Sequence, residues 1–404
     1  MFFPLKVALY RSISNALKYT VRVLPISPPI IFSGKDSSVE LANAIAQRGH
    51  DVLLLVTDEV LMKIGLADRV IESLEANGVK VVIYSGVLPD PTTDHVDEGV
   101  RLALDNHCDG ILSVGGGSPI DTAKAIAACV TNNKKAMQLS GLFKVKKTPL
   151  PLYVVPTTAG TGSEATIASV ITNAETHKKE LILDPSLVPK MAALDGQLML
   201  NLPASVTAAS GMDALTHAIE AYVSTNATNE TDSLALTAAK LIFNNIEKTV
   251  IEGQCFDARQ NMALGSYYAG AAFTKAGVGY VHAISHSIGG QYGTVHGVLN
   301  SMILPRVLAY SLTNIESRLA TISRESGIAD SNASDGEASE RLINKIKQLV
   351  TTFDMPYYLD DLKSVHIKGI AKQALKEAHY TPYAVPKYMD QSACESLIRD
   401  MQTA

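Results

Sequence analysis

Short apolar runs alternate with amphipathic stretches across residues 29–155, and this alternation limits the fold more than any other feature of the chain. The stretches between the runs place apolar residues at three- and four-residue spacing, which is typical of helices. Strand-like runs separated by helices predict βαβ units that build a parallel sheet. The predicted strands are residues 29–32, 51–56, 79–84, 110–114 and 151–155, and the predicted helices are residues 39–47, 60–76, 95–106 and 120–131.

The pattern changes after Pro203. Residues 168–172, 181–183 and 191–194 still look like strands, and we expect them to form a β-hairpin that extends the sheet. From Ala204 onward, Ala, Leu, Glu and Lys recur at helical spacing. We therefore predict an α/β domain of the nucleotide-binding type over residues 1–203 and an all-helical domain over residues 204–404. Its predicted helices are residues 205–224, 230–249, 256–276, 311–327, 337–353 and 366–378.

Residues 1–28 are predicted to be an N-terminal extension. Their basic residues interrupt every apolar run, which excludes a secretory signal. A mitochondrial presequence and an amphipathic helix packed on the fold both stay open. The four scattered cysteines favour reduced thiols and hence the cytoplasm.

Charge and hydropathy exclude two classes of partner. The net charge is −5 and the 35 basic residues are dispersed, so we expect no nucleic-acid partner. The longest apolar runs are far shorter than the roughly 20 residues of a membrane helix, so we expect no membrane association.

Two glycine-bearing segments follow predicted strands. ILSVGGGSPIDT, residues 111–122, contains Gly116 and Gly117, then Ser118 as a helix cap and Asp121. The exposed N–H groups at the start of such a helix form an anion site that suits a pyrophosphate. PTTAGTGSE, residues 156–164, adds the hydroxyl groups of Thr157, Thr158 and Thr161. Either loop alone could be a tight connection, but two in one domain favour a dinucleotide.

Asp58 ends a predicted strand in LLLVTDEV. A carboxylate there could accept a hydrogen bond from the adenosine ribose and repel a 2′-phosphate, which favours NAD over NADP. A strand-end Asp is also a common helix cap. Neither GxGxxG nor the Walker pattern GxxxxGK[ST] is present, so ordinary Rossmann and kinase-like proteins are disfavoured.

Metal-ligating residue types are concentrated in the helical domain. Asp213 and His217 are four residues apart on a predicted helix and therefore share a face. VHAISHSIGGQYGTVHG adds His282, His286 and His296. A carboxylate with imidazoles and no thiolate suits Fe(II), Zn(II), Mn(II) or Co(II), and the residue types do not choose among them.

Taken together, these motifs resemble the iron-containing (group III) alcohol dehydrogenases, whose fold is similar to that of dehydroquinate synthase. The resemblance spans residues 29 to 400. It is carried by VTD at 56–58, VLPDPT at 87–92, GGGSPIDTAKA at 115–125, PTTAGTGSEAT at 156–166, GMDALTHAIEAY at 211–222 and HAISHSIGGQYGTVHGV at 282–298.

The resemblance implies roles for individual residues. It implies that Asp213, His217, His282 and His296 bind a divalent metal, with Fe²⁺ as the first choice and Zn²⁺ as the second, and that His286 relays protons. It also implies cofactor contacts, which we predict at Asp58, Gly116, Gly117, Ser118, Asp121, Thr157, Thr158, Thr161 and Lys179.

The implied reaction is hydride transfer between a metal-bound alcohol and C4 of the nicotinamide of NAD, with a small alcohol or aldehyde as substrate and a homodimer as the assembly. The alternative is another reductase of the same fold, similar to glycerol dehydrogenase or to maleylacetate reductase. Two departures from the family pattern are Asp90 in place of the usual Asn, which adds a negative charge near a cofactor contact, and AVPKYMD at 384–390.

Overall fold

The computed structural model describes residues 3, 6–12, 26–381 and 383–403, and the chain divides into two compact units. The α/β unit contains Pro25–Leu202 and Gly253–Tyr267, and the helical unit contains Met1–Leu24, Pro203–Glu252 and Tyr268–Ala404. Across the described ranges, no helix is long and apolar enough to cross a membrane. The predicted domain boundary at residue 203 stays a prediction.

Six parallel strands form the main sheet of the α/β unit, in the order β1-β9-β6-β4-β2-β3. The predicted parallel sheet and the predicted fold class are confirmed. The strands are β1 (Ile30–Ser33), β2 (Val52–Val56), β3 (Lys80–Tyr84), β4 (Gly110–Gly115), β6 (Leu152–Pro156) and β9 (Met191–Leu194).

Helices cover both faces of this sheet, which explains why its central strands are buried at all positions but one. Leu54 of β2 belongs to an apolar cluster on one face that also contains Ile120. Its neighbours Leu53 and Leu55 belong to the cluster on the opposite face, which also contains Leu41. The helices are α1 (Ser37–Ala46), α2 (Glu59–Lys63), α3 (Asp68–Ala76), α4 (Thr93–Asp105), α5 (Gly117–Asn132) and α6 (Ala136–Leu139).

The predicted hairpin forms, but it does not extend the main sheet. Strands β7 (Ala168–Thr172) and β8 (Lys179–Leu183) pair antiparallel, and β8 pairs with β5 (Gly141–Leu142) in a separate three-stranded sheet. The third predicted strand, β9, instead lies parallel between β1 and β6. Sequence periodicity identifies strands but does not say which sheet they join.

The helical unit is built from long helices. The prediction missed the helices Tyr280–Tyr292 and Gln391–Arg399, and the helix predicted to begin at residue 311 begins at His296. Residues 256–267 of α9 belong to the α/β unit, and its remainder belongs to the helical unit. The helices are α7 (Ala204–Val223), α8 (Asn229–Ile251), α9 (Phe256–Ala276), α10 (Tyr280–Tyr292), α11 (His296–Glu325), α12 (Asp335–Thr352), α13 (Ser364–Tyr380) and α14 (Gln391–Arg399).

The N-terminal extension predicted for residues 1–28 lies outside the described residues except for residues 3, 6–12 and 26–28. Residues 6–12 are helical. Within the helical unit, the ring of Tyr10 stacks on His379 with 4.4 Å between the ring centroids.

Candidate metal centre and nucleotide-binding loops

The two glycine-bearing loops lie side by side at the carboxyl ends of two central strands of the main sheet. They follow β4 and β6, which are neighbouring parallel strands. A Cβ atom at Gly117 would lie 2.7 Å from Cγ2 of Thr161, and one at Gly116 would lie 3.2 Å from Oγ1 of Thr158. Glycine is therefore required for the loops to approach this closely. The backbone N–H of Thr157 also donates to the carbonyl oxygen of Gly115 at 3.0 Å.

The first loop leads directly into α5. Gly116 is the N-terminal cap of this helix, and Ser118 lies within its first turn rather than at the predicted cap position. The free N–H groups of the first turn carry the positive end of the helix dipole. The loop therefore keeps the anion-binding geometry expected for a pyrophosphate.

Asp58 follows β2, which pairs with β4 in the sheet. Its Oδ1 accepts a hydrogen bond from the backbone N–H of Leu61 at 2.9 Å and caps α2. Of the two interpretations left open by the sequence, the helix cap is present in the structure. A contact from Asp58 to a ribose stays a prediction, as does the preference for NAD that rests on it.

Asp121 holds the start of α5 against the end of the second loop and against β7. One carboxylate oxygen accepts from Oγ of Ser163 at 2.6 Å and the other accepts from the backbone N–H of Val170 at 3.0 Å. Both oxygens thus have protein partners, which gives Asp121 a role in aligning the two loops. Its predicted cofactor contact stays a prediction.

Lys124 was not predicted as part of this region. It is fully buried on α5, and five oxygens of Ser163, Thr166 and Ala168 surround its Nζ at 2.7–3.0 Å. A buried ammonium group needs such partners because it has lost its hydration. The signal in the sequence was a lysine inside the apolar helical run TAKAIAA.

Lys179, at the start of β8, forms an ion pair with the unusual Asp90. Nζ of Lys179 lies 2.5 Å from Oδ1 of Asp90, and the two side chains are 27% and 64% exposed. The charge that Asp90 adds is therefore balanced by the same lysine that the family resemblance places at the cofactor. The cofactor contact of Lys179 itself stays a prediction.

Four predicted ligands from three helices converge in the helical unit. Asp213 and His217 lie on α7, His282 lies on α10, and His296 is the first residue of α11. Oδ1 of Asp213 lies 3.9 Å from Nε2 of His217, 3.8 Å from Nε2 of His282 and 3.5 Å from Nε2 of His296.

This donor set fits a divalent metal ion. Bonds of about 2.1 Å in a tetrahedral site place neighbouring ligand atoms about 3.4 Å apart, close to the separations from Asp213 Oδ1. Ligand atoms of Asp213, His217 and His282 all lie within 4.8 Å of one another, and these three residues are buried. Burial lowers the pKa of His282 well below its usual value, which favours the neutral imidazole that binds metals.

Glu220 supports this centre, although the sequence analysis did not assign it a role. Its Oε2 lies 2.6 Å from Nδ1 of His282 and accepts from the N–H of Gly279 at 2.9 Å, and its Oε1 accepts from the N–H of Val281 at 2.8 Å. Burial raises the pKa of Glu220 to about 7 despite these donors. A carboxylate on the far nitrogen of a histidine orients the ring and makes it a stronger ligand. Glu220 lies one turn beyond His217 on α7, which was the available signal.

The other imidazoles are also oriented by neighbours. Nδ1 of His296 lies 2.9 Å from Oγ of Ser285. The ring of His217 stacks between Phe273 and His282, with centroid distances of 4.3 and 4.5 Å. Nδ1 of His217 is buried and has no hydrogen-bond partner within the described part of the chain.

His286 lies beside the four converging side chains and faces an acidic residue. Its ring stacks on that of His296 with a centroid distance of 5.2 Å. Its Nδ1 lies 2.7 Å from Oε1 of Glu377, and the same oxygen accepts a hydrogen bond from the hydroxyl of Tyr383 at 2.7 Å. His286 therefore has a defined orientation that does not use Nε2. Glu377 and Tyr383 were not predicted.

The helical unit thus presents a carboxylate and three imidazoles that fit a metal, and the α/β unit presents two loops suited to a pyrophosphate. Two family models match the chain. That of "Iron-containing alcohol dehydrogenase" matches residues 28–196, and that of "Fe-containing alcohol dehydrogenase family, C-terminal" matches residues 207–401.

Individual proteins agree with these models. The chain is 38% identical to the NAD-dependent methanol dehydrogenase of Bacillus methanolicus, over 87% of this chain and 92% of the relative. It is 37% identical to alcohol dehydrogenase 4 of Schizosaccharomyces pombe, over 93% of this chain and 91% of the relative. A crystal structure of 1,3-propanediol oxidoreductase superposes with a TM-score of 0.89 at 35% identity, covering 93% of this chain and 98% of that one.

The chain belongs to the iron-containing alcohol dehydrogenase family. The predicted family, fold class and enzyme class are confirmed. The assignment of individual residues to the metal, the cofactor and proton transfer stays a prediction.

Proposed function

We propose that this protein catalyses the reversible oxidation of a small alcohol to its aldehyde with NAD⁺. The convergence of Asp213, His217, His282 and His296 carries the proposal, because Nε2 atoms of the three imidazoles lie 3.5–3.9 Å from one carboxylate oxygen of Asp213. Fe²⁺ is the proposed native metal and Zn²⁺ is the alternative. The names of the relatives, which include methanol dehydrogenase, 1,3-propanediol oxidoreductase and long-chain-alcohol dehydrogenase 1, support an alcohol as the substrate.

When bound, the metal supplies Lewis-acid polarisation of an alcohol or carbonyl oxygen, and the nicotinamide exchanges a hydride at C4. The chain supplies the orientation of these groups. Asp213 contributes negative charge, and Glu220 and Ser285 fix the rings of His282 and His296.

His286 is the proposed proton acceptor. Because Nδ1 faces Oε1 of Glu377, the ring carries its proton on Nδ1 and leaves the lone pair of Nε2 free to accept the hydroxyl proton of the alcohol. Tyr383 donates to the same carboxylate oxygen and holds Glu377 in place. In aldehyde reduction the same nitrogen returns the proton.

The two loops of the α/β unit are the proposed dinucleotide site. The N-terminus of α5 would face the pyrophosphate, while Thr157, Thr158 and Thr161 supply hydroxyl groups. Asp58 would contact the adenosine ribose with the carboxylate oxygen that does not cap α2, and Lys179 would contribute positive charge.

The decisive experiment is anaerobic purification with metal quantification, followed by an alcohol and aldehyde screen. Nicotinamide absorbance would be followed with NAD⁺ and NADP⁺ over a panel of short alcohols. We expect about one metal ion per chain and turnover that depends on it, with NAD⁺ preferred. A metal-free protein with full turnover would contradict the metal centre, and a preference for NADP⁺ would contradict the role of Asp58.

Single variants separate the proposed roles. His296→Ala should lose metal and activity together, whereas His286→Ala should retain metal and turn over about 10²–10⁴-fold more slowly. His366→Ala, which removes a histidine that hydrogen-bonds to Tyr292 and not to a proposed ligand, is the matched control and should retain both. Loss of metal from the His286 variant would make it a ligand instead.

Three finer assignments are also proposals. The free thiols of all four cysteines support the cytoplasm, and the dispersed charge of −5 supports small molecules rather than nucleic acid as partners. The family resemblance supports a homodimer, which light scattering on the purified protein would test.

A further inference from the structure

Asn300 places an amide group among the converging side chains, although neither the resemblance nor the donor chemistry assigned it a role. It is fully buried on α11, one turn after His296. Its Nδ2 lies 2.7 Å from Oδ1 of Asp213, 3.0 Å from Nε2 of His296 and 3.5 Å from Nε2 of His282.

The surroundings determine which end of the amide faces the centre. Glu220 accepts the Nδ1 proton of His282, so the Nε2 atom of that ring is an acceptor, and Oδ1 of Asp213 is an acceptor as well. The reverse orientation would bring the amide oxygen against the Asp213 carboxylate. The NH₂ group therefore points inward, as the donor that these acceptors need.

The other end of the side chain shows that packing alone does not account for an asparagine here. Oδ1 of Asn300 is buried and has no hydrogen-bond partner in the part of the chain that the structure describes. Leaving a buried oxygen unpaired is unfavourable, and leucine would fill a similar volume without it. The hydrogen bonds of Nδ2 therefore account for a polar residue at position 300.

We propose that Asn300 is a positioning residue of the metal centre. Its Nδ2–H donates to Oδ1 of Asp213, which keeps a second lone pair for a metal, and so fixes the carboxylate with Oδ1 facing the three imidazoles. Hydrogen bonds to ionised groups are the stronger kind, which suits this task. The inference rests on the metal centre of the proposed function and adds a residue that acts through Asp213.

The test compares metal binding by the wild-type protein with metal binding by an apolar variant and by a negatively charged variant. Asn300→Leu removes the donor at similar volume, and Asn300→Asp replaces it by a second carboxylate next to Asp213. Each metal-free protein is titrated anaerobically with Fe²⁺ and with Zn²⁺ against a competing chelator. Melting temperatures are measured with and without metal, because binding to the folded state alone raises them.

We expect Asn300→Leu to bind metal about 10–100-fold more weakly and to show a smaller metal-induced rise in melting temperature. Asn300→Asp should show a larger rise, because the metal relieves the repulsion between two adjacent carboxylates. If Asn300 only fills space, Asn300→Leu would change the melting temperatures with and without metal equally and leave the metal-induced rise intact. If Asn300→Leu does not fold, Asn300→Ala, which also removes the donor, decides the question by whether its metal-induced rise is smaller than that of the wild type.

Ser301→Ala is the matched control. Ser301 is the next residue on α11, is also fully buried, and donates its hydroxyl to the carbonyl of Val298 rather than to a ligand. It should change stability without changing the metal-induced rise. If both Asn300 variants showed the same metal-induced rise in melting temperature as the wild type, this inference alone would be overturned. If metal did not raise the melting temperature of the wild-type protein, both this inference and the proposed function would be overturned.

Discussion

Gly297 lies so close to Ala209 that a Cβ atom at residue 297 would be 2.1 Å from the Ala209 carbonyl oxygen. Gly297 follows His296 on α11, and Ala209 lies one turn before Asp213 on α7. The close approach of the two backbones therefore sets the separation of two predicted ligands. We expect Gly297→Ala to force the helices apart, to destabilise the protein by about 1–3 kcal/mol or more, and to reduce metal retention. Denaturant unfolding and metal analysis check both effects.

Gly290→Ala is the matched control for this variant. Gly290 also lies inside a helix, α10, but a Cβ atom there would meet nothing within 4 Å. We expect a neutral or slightly stabilising change of about 0.5–1 kcal/mol, because alanine has the higher helix propensity. A Gly297→Ala protein with wild-type stability and metal content would show that the helices can separate without cost.

The features that could be predicted from the sequence are those encoded by local pattern. Apolar runs such as LLLV in β2 gave the strand positions, and the four-residue spacing of Asp213 and His217 gave a shared helix face. The family motifs supplied the correspondence between the distant segments at 211–222 and 282–298. These observations sufficed for the fold class and for the candidate ligands.

The remaining features depend on tertiary contacts that no local pattern contains. Glu377 is far from His286 in the sequence, and only the packing of α13 against α10 brings the two together. Lys124 reads as a polar interruption of a helix until its five oxygen partners are known. Asn300 reads as one polar residue in a buried helix face. The sheet that β7 and β8 join was mispredicted for the same reason.

Glu220 provides a second test of the metal centre. Its carboxylate accepts hydrogen bonds from Gly279, Val281 and His282. In Glu220→Gln the NH₂ group of the amide would face at least one of these N–H donors, whichever way the amide is turned. We expect this variant to bind metal about 10–100-fold more weakly, because the ring of His282 loses its fixed orientation. Competition with a chelator measures the change.

Glu230→Gln is the control for Glu220→Gln. Glu230 lies on the next helix and forms an exposed ion pair with Lys275. Such pairs contribute little to stability, so both metal affinity and stability should stay near the wild-type values. Equal metal affinity in the Glu220 and Glu230 variants would remove Glu220 from the support of the centre.

Lys124 joins α5 to the segment that follows the second loop. Replacing it by methionine keeps the length of the side chain but leaves the oxygens of Ser163, Thr166 and Ala168 without their donor. We expect Lys124→Met to destabilise the α/β unit by about 1–3 kcal/mol or more, because buried oxygens that lose their donor are left unpaired. NAD⁺ binding should weaken as well, because Asp121 and Ser163 align the loops.

Lys134→Met controls for the loss of a lysine near the same helix. Lys134 is exposed just beyond the end of α5, so its replacement should change stability by less than about 0.5 kcal/mol. Urea unfolding followed by circular dichroism compares the two variants. A Lys124→Met protein as stable as the Lys134→Met protein would show that the buried ammonium group is not needed.

His379 gives the helical unit a dependence on pH that is separate from the metal centre. The N–H of Met389 donates to the hydroxyl oxygen of Tyr280 at 2.8 Å, and that oxygen lies 2.7 Å from Nε2 of His379. Burial lowers the pKa of His379 to about 4, because the charged imidazolium would lose its hydration. The neighbouring titratable groups are the tyrosines Tyr10 and Tyr388, which stay neutral in acid.

The sign of the effect follows from proton binding. Between about pH 6.5 and pH 4 the unfolded chain binds a proton at His379 and the folded chain does not, so stability falls as the pH falls through this window. The contribution is at most about 3 kcal/mol. His379→Gln retains an acceptor for Tyr280 but does not titrate, so its free energy of unfolding should fall less steeply between pH 6.5 and pH 4 than that of the wild type. The exposed His107→Asn should keep the wild-type slope, and parallel profiles for all three proteins would show that His379 titrates alike in both states.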